Sequence, residues 1–222
     1  MEPNLEITEC RRCARLVAWR EKVRVEKVLR FSDEEYWGKP VPSFGRIDSE
    51  VLIVGLAPAA HGANRTGRMF TGDRSGEWLY RTLHQFGFCN RAISLHREDD
   101  LTLNNCRITA VAHCAPPQNR LTKDEITRCH GYLENEVTMM PNLKVIVALG
   151  QIAFTQILPF YFPSRALIRF QHGLELIAAK GTCIIASYHP SQQNTFTKRL
   201  TEDMFHGIFR RVNYHLTKRE TT

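Results

Sequence analysis

The stretch Val51-Leu-Ile-Val-Gly-Leu-Ala-Pro-Ala-Ala-His-Gly-Ala-Asn-Arg-Thr-Gly-Arg-Met-Phe-Thr-Gly-Asp73 decides how the rest of the chain is read. A short apolar run, 51–54, leads into a long polar loop rich in glycine, and an amphipathic segment, 75–86, follows. Strand, loop and helix start come in the order by which open α/β sheets build sites at the carboxyl ends of their strands. A merely connecting loop has roughly 4–6 residues, and this one is far longer. Gly55, Gly62, Gly67 and Gly72 let the backbone approach a ligand closely. His61, Asn64, Arg65, Arg68, Phe70 and Asp73 supply a base, an amide, two cations, an aromatic face and a carboxylate. The plainer alternative is a surface Ω-loop with scattered polar residues.

Working outward, residues 7–30 open with Cys10-Arg-Arg-Cys13 and continue as a charged helical stretch with Leu16, Trp19 and Val23 on one stripe. Residues 31–50, with Gly38, Pro40, Pro42 and Gly45, read as an irregular connection. Beyond the opening loop, a helix is predicted over 76–87 with Ser75 as its cap, then a strand over 107–113. The segment 114–120, Cys-Ala-Pro-Pro-Gln-Asn-Arg, leaves that strand as a rigid loop, since neither proline can donate a ladder hydrogen bond. Thr122-Lys-Asp-Glu125 is a capping box, which places a helix over 123–139. A continuous apolar strand over 143–150 and a short helix over 151–158 follow. The segment 166–180 reads as an edge strand or a hairpin. The last core strand, 183–187, delivers Tyr188-His189-Pro190-Ser191, and Met204, Phe205, Ile208, Phe209, Val212 and Leu216 mark a C-terminal helix with a buried face. Alternating strands and helices at this spacing imply a parallel sheet covered on both faces, in a single α/β domain spanning 1–222.

The chain has 222 residues and a net charge of +7, with pI near 9.2. That balance favours an anionic partner, nucleic acid first. No apolar run reaches the length of a membrane span and the N-terminus lacks a signal-peptide pattern, so a cytoplasmic protein with no membrane partner is expected. Seven cysteines in such a compartment argue against a disulfide framework. Cys10 and Cys13 form a C-x2-C pair, and Cys114 and Cys129 lie at a strand end and in the next helix. Four thiolates from distant parts of the chain suit zinc or an iron–sulfur cluster, and the wide second pair leans toward the cluster. Cys89, Cys106 and Cys183 read as buried thiols acting as small hydrophobes.

Three strand ends would converge on one cleft, bringing together Asp73, Asn119 and His189, with Phe70 as a stacking face. One plate, one amide, one imidazole and one carboxylate suit a pocket for a planar nucleobase. Ser191 offers a phosphate contact, and Lys198 and Arg199 follow within a helical turn. Phe196 and Leu200 read either as packing or as a wedge for base steps.

The residues 55–73, 114–120 (CAPPQNR) and 188–196 (YHPSQQNTF), with the cysteine set 10, 13, 114 and 129, make the chain resemble the type B, or family five, uracil-DNA glycosylases over nearly its whole length. The resemblance implies a three-layer α/β/α fold around a four-stranded parallel sheet. It implies a [4Fe–4S] cluster held by Cys10, Cys13, Cys114 and Cys129, with an N-terminal cluster-binding helix at 7–30. It also implies excision of uracil from DNA, and of other deaminated bases such as hypoxanthine, by a monomeric enzyme that leaves an abasic site. Candidate base-binding residues are Gly55, Ala57, Phe70 and Asn119. Phe70 would stack on the flipped base, Asn119 would bind its Watson–Crick edge, and His189 would stabilise charge on the departing base. Leu56 stands where related families carry a polar catalytic residue, so Asp73 is assigned to the water or to the cationic sugar. His61, Arg65, Arg68, Ser191, Asn194, Lys198 and Arg199 are the candidate DNA contacts. Lys198 departs from the pattern, in which glycine is expected before a basic residue. The rival readings are a non-catalytic nucleic-acid-binding module that senses modified bases, and a nucleotide-binding α/β enzyme, against which the absence of GxGxxG or GxxxxGK[ST] counts.

Overall fold

Helix α1 (Pro3–Thr8) and helix α2 (Ala14–Glu26) flank the Cys10–Cys13 turn, and strand β1 (Phe44–Gly45) follows. Strand β2 (Val51–Gly55) ends in the long loop, which holds the one-turn helix α3 (Ala63–Thr66) and runs into α4 (Arg74–Gln85). The remaining elements are β3 (Cys106–Ala110), α5 (Lys123–Met139), β4 (Val145–Leu149), α6 (Gln151–Tyr161), β5 (Glu175–Ile177), β6 (Cys183–Ser187), α7 (Gln192–Phe196) and α8 (Glu202–Thr217). This computed structural model describes residues 3–162 and 168–218.

The sheet order is β1-β3-β2-β4-β6-β5. Its four inner strands run parallel, and β1 and β5 pair antiparallel at the two edges. The sheet thus has six strands where four were expected, the extra pair being short edges. β1 lies in the stretch read as irregular, because two residues are too few to show a strand period. β5 resolves the segment read as edge strand or hairpin; residues 163–167 of its approach lie outside the described residues.

All five residues of each inner strand are buried, as a sheet covered on both faces requires, and β3 includes the polar Arg107 and Thr109 among them. Alternation along β2 sends Val51 and Ile53 into a core with Leu79, Leu83, Phe205 and Phe209 of α4 and α8. Leu52 and Val54 face Leu133 of α5 and Phe154 and Ile157 of α6. Three layers result. The chain winds from β2 out to β3 and then returns across β2 to β4, so the winding direction reverses beside β2. Ligand crevices form outside the carboxyl ends of strands at such a switch point. Among the described residues no helix is long and apolar enough to cross a membrane.

Arg107 of β3 joins an edge to a helix. Its guanidinium donates to the Gly45 carbonyl of β1 and, at 3.0 Å, to Glu136 Oε1 of α5, and both side chains are buried. Removing one partner of such a pair leaves an uncompensated buried charge. Glu136→Ala should therefore lower unfolding stability by about 3–5 kcal/mol in urea titrations; a loss typical of a surface substitution would contradict the pair's structural role.

Candidate active site

Loops leaving β2, β3 and β6 open on one side of the sheet and enclose a cleft of about 640 Å³. Gly55, Leu56, Ala57, Phe70, Asp73, Asn119, His189 and Ser191 all line it. The three-strand convergence expected from sequence is present.

Phe70 has a left-handed backbone, with φ 54°. Several contacts impose it. A Cβ on Gly55 would come within 2.9 Å of two ring carbons of Phe70, and a Cβ on Gly76 would sit 1.7 Å from the Phe70 carbonyl oxygen. The Tyr80 hydroxyl donates to the Met69 carbonyl at 2.6 Å. Non-glycine residues in this region store on the order of 1–3 kcal/mol each and persist only where the surroundings over-determine them. Gln118 and Asn119 are also left-handed, at φ 54° and 56°, so strain clusters around the cleft. The Asn119 side chain is exposed and bonds to no protein group among the described residues, which leaves its amide free for a ligand.

Asp73, rather than Ser75, caps α4: its Oδ1 accepts from the Gly76 N–H at 2.9 Å. Burial raises its carboxyl pKa against the lowering effect of backbone hydrogen bonds from Gly76 and Ser75. The other oxygen approaches Gly62, where a Cβ would come within 2.1 Å of Oδ2. His189 leaves β6 with its ring nearly parallel to Phe70, centroids 5.9 Å apart and planes at 26°. Burial alone holds its imidazole down at about 4. The Asn194 side chain donates to the His189 carbonyl at 2.9 Å, and Ser191 caps α7 by accepting from the Asn194 N–H. These two residues support the histidine turn; of the pair, Ser191 lines the cleft.

Two expected DNA contacts are corrected. Arg65 is buried, ion-paired with Glu34, bonded to the carbonyls of His61 and Gly72, and stacked 3.9 Å from the Phe31 ring centroid. Arg68 is buried with Asp99, Ser94, Thr71 and the carbonyls of His96 and Arg97. Neither guanidinium is left for a phosphate. His61 is half-buried against the Tyr36 hydroxyl, 3.0 Å from Nδ1, and stands outside the cleft lining. Lys198 and Arg199 are exposed, the latter over the Tyr188 ring at 4.7 Å. Lys198 takes φ 55°, a left-handed backbone that glycine would adopt without strain. Leu200 is core, whereas Phe196 is 60% exposed with Arg74 over its ring. Sequence reasoning missed Arg74, Gln118, Arg120, Gln192 and Gln193, which also line the cleft. Arg74 directly follows the first motif and the other four lie inside the second and third, so motif membership was the available clue.

Away from the cleft, Cys10, Cys13, Cys114 and Cys129 line one cavity together with Arg12, His113, Arg128 and Tyr132. All four are unpaired thiols. Burial pushes Cys114 up to about 11 and Cys129 up to about 12. Buried beside them, His113 Nε2 and Arg20 Nε have no hydrogen-bond partner among the described residues. Cys183 instead meets Glu175 and His215 at the β5 edge. His215 Nε2 lies 2.8 Å and Arg211 3.2 Å from the Glu175 carboxylate, which accounts for that group as an edge-strand ion pair.

An α/β sheet with an aromatic plate, an amide, a low-pKa imidazole and a carboxylate at its switch point defines a nucleobase-handling enzyme class. A family model described as the uracil DNA glycosylase superfamily matches residues 42–213. A type-5 uracil-DNA glycosylase of Mycobacterium leprae is 49% identical over 94% of this chain and 92% of its own length. One from Thermus thermophilus is 46% identical over 90% of each. A type-4 uracil-DNA glycosylase of Thermotoga maritima is 31% identical over 66% of this chain and 67% of its own. The chain belongs to the uracil-DNA glycosylase superfamily, in its type-5 branch.

The Phe70 geometry makes a paired test. Gly76→Ala should destabilise the protein severely in thermal denaturation. Gly131→Ala, whose Cβ meets nothing within 4 Å on α5, should stabilise it by up to about 1 kcal/mol through helix propensity. Equal stabilities would refute the proposed contact at Phe70.

Proposed function

We propose that this chain excises uracil from DNA by hydrolysing the bond between the base and deoxyribose C1′. The convergence of Phe70, Asn119, Asp73 and His189 on one cleft carries this reading, and the type-5 relatives support it. A flipped uracil lies against Phe70 while the Asn119 amide, with both donor and acceptor, meets its Watson–Crick edge. As the C1′–N1 bond breaks, its electron pair leaves with the base and positive charge grows on the sugar, as in other glycosidic cleavages. His189, neutral in this environment, donates an N–H toward the base oxygen that gathers charge. The Asp73 carboxylate opposes the sugar's positive charge and orients the water whose oxygen bonds to C1′. Leu56 supplies no polar group at the loop entrance, so the chemistry rests on these two.

Flipping costs a few kcal/mol. Exposed Arg74, Arg120, Lys198 and Arg199 provide phosphate contacts, and Phe196 provides an apolar wedge, to offset it. The cleft volume also admits a bicyclic base, which supports acceptance of hypoxanthine.

The four cysteines suit an iron–sulfur cluster better than a single ion. Tetrahedral zinc with bonds of about 2.3 Å would draw its sulfurs to within ~3.8 Å of one another. Among the described residues the only group of three or more metal-ligating atoms within 4.8 Å is Glu175, Cys183 and His215. Metal binding would displace the protons that burial now holds on Cys114 and Cys129. Bound there, the cluster would tie α2 to the loop that starts at Cys114 and presents Asn119.

Incubating the protein with uracil-containing duplex and treating with alkali should cut the strand at uracil, and His189→Ala should slow excision by about 10²–10³-fold. Intact strands would favour a non-catalytic sensor of modified bases. The low imidazole value gives a second test. Folded His189 binds its proton only near pH 4, an unfolded one near 6.5, so stability is withdrawn as pH falls through that window. Imidazole NMR should show His189 uncharged across neutral pH; a midpoint near 6.5 would remove its neutral-donor role.

A further inference from the structure

Arg20, on α2, is 2% exposed. The other buried arginines each have a carboxylate: Glu34 for Arg65, Asp99 for Arg68, Glu136 for Arg107. Arg20 has none among the described residues. Its Nη1 donates to Cys114 Sγ at 3.0 Å and its Nη2 to the Cys10 carbonyl at 3.3 Å, while Nε is unpartnered. An uncompensated ion in the interior costs several kcal/mol. An arginine cannot shed its proton to escape that cost. Its counter-charge must therefore come from the group that Cys10 and Cys114 help to hold.

We propose that Arg20 is the internal counter-ion of the four-cysteine centre and sets the reduction potential of its cluster. This rests on the cluster reading given above. Four thiolates outweigh the charge of the iron–sulfur core, so the whole is negative, and gaining one electron makes it more so with no bond made or broken. A guanidinium against a ligating sulfur stabilises the more negative form and raises the potential. Hydrogen bonds to the sulfurs and local charge are the levers by which proteins tune such clusters. Arg12, whose Nε lies 3.4 Å from Cys10 Sγ, is exposed, and solvent screens it. The buried cation dominates.

Wild type, Arg20→Met and Arg20→Lys would be purified anaerobically, assayed for iron and examined by direct electrochemistry. Wild type should carry about four irons. Arg20→Met should show a lower potential at equal iron content, and Arg20→Lys a smaller shift in the same direction, because the charge remains while the forked geometry is lost. An unchanged potential in iron-replete Arg20→Met overturns the assignment and leaves the cluster intact. Wild type without iron overturns the cluster reading itself. Should Arg20→Met fail to fold, Arg20→Lys decides: an unshifted potential overturns the proposal, and a downward shift supports it.

Discussion

The carbonyl oxygen of Phe70 occupies the space that any side chain at residue 76 would need. That one close approach joins the end of the long loop to the first turn of α4, and much of the site depends on it. It holds Phe70 in a left-handed conformation with its ring against Gly55, at the end of β2. It also brings Asp73 to the head of α4, where the same Gly76 offers its N–H as the cap. A single glycine therefore fixes both the Phe70 ring and the Asp73 carboxylate. The strain at Phe70 is sustained because ring, carbonyl and neighbouring Met69 are each held by separate contacts.

Charge is divided between two tasks. A net charge of +7 invites the reading that the cations serve DNA, yet Arg65 and Arg68, inside the signature loop, hold that loop together by pairing with Glu34 and Asp99. Both are buried, and removing their carboxylates would leave costly unpaired charge. Arg74 and Arg120, which line the cleft, are exposed and cheap to rearrange, as are Lys198 and Arg199 beyond its lining. Loop order thus rests on buried arginines, and the exposed cations are a separate set.

Cys114 and Asn119 share one short loop, so the cysteine cavity and the cleft-lining Asn119 are mechanically connected. Pro116 and Pro117 stiffen the span between them. The left-handed pair Gln118–Asn119 ends it. A centre gripping Cys114 would give this strained turn a fixed base to stand on, and the buried Arg20 reaches that same sulfur from α2.

Local pattern was enough for much of this. Short apolar runs marked three inner strands and alternation marked β3, the capping box placed α5, and the three motifs named the cleft residues Phe70, Asp73, Asn119 and His189, because these features act over a few neighbouring residues. The tertiary structure alone decided what depends on distant partners. It added the edge strand β1, resolved the ambiguous segment that holds β5 as an edge strand, and moved the α4 cap to Asp73. It turned Arg65 and Arg68 inward, since a side chain's direction follows from which carboxylates the fold brings near. It also revealed why glycine suits position 198, and left Arg20 buried with a sulfur where its carboxylate would be. The sequence of the loop at 55–73 determined which chemistry was present; only the packing around it determined which of those groups face the cleft, because burial and pairing are properties of the assembled chain.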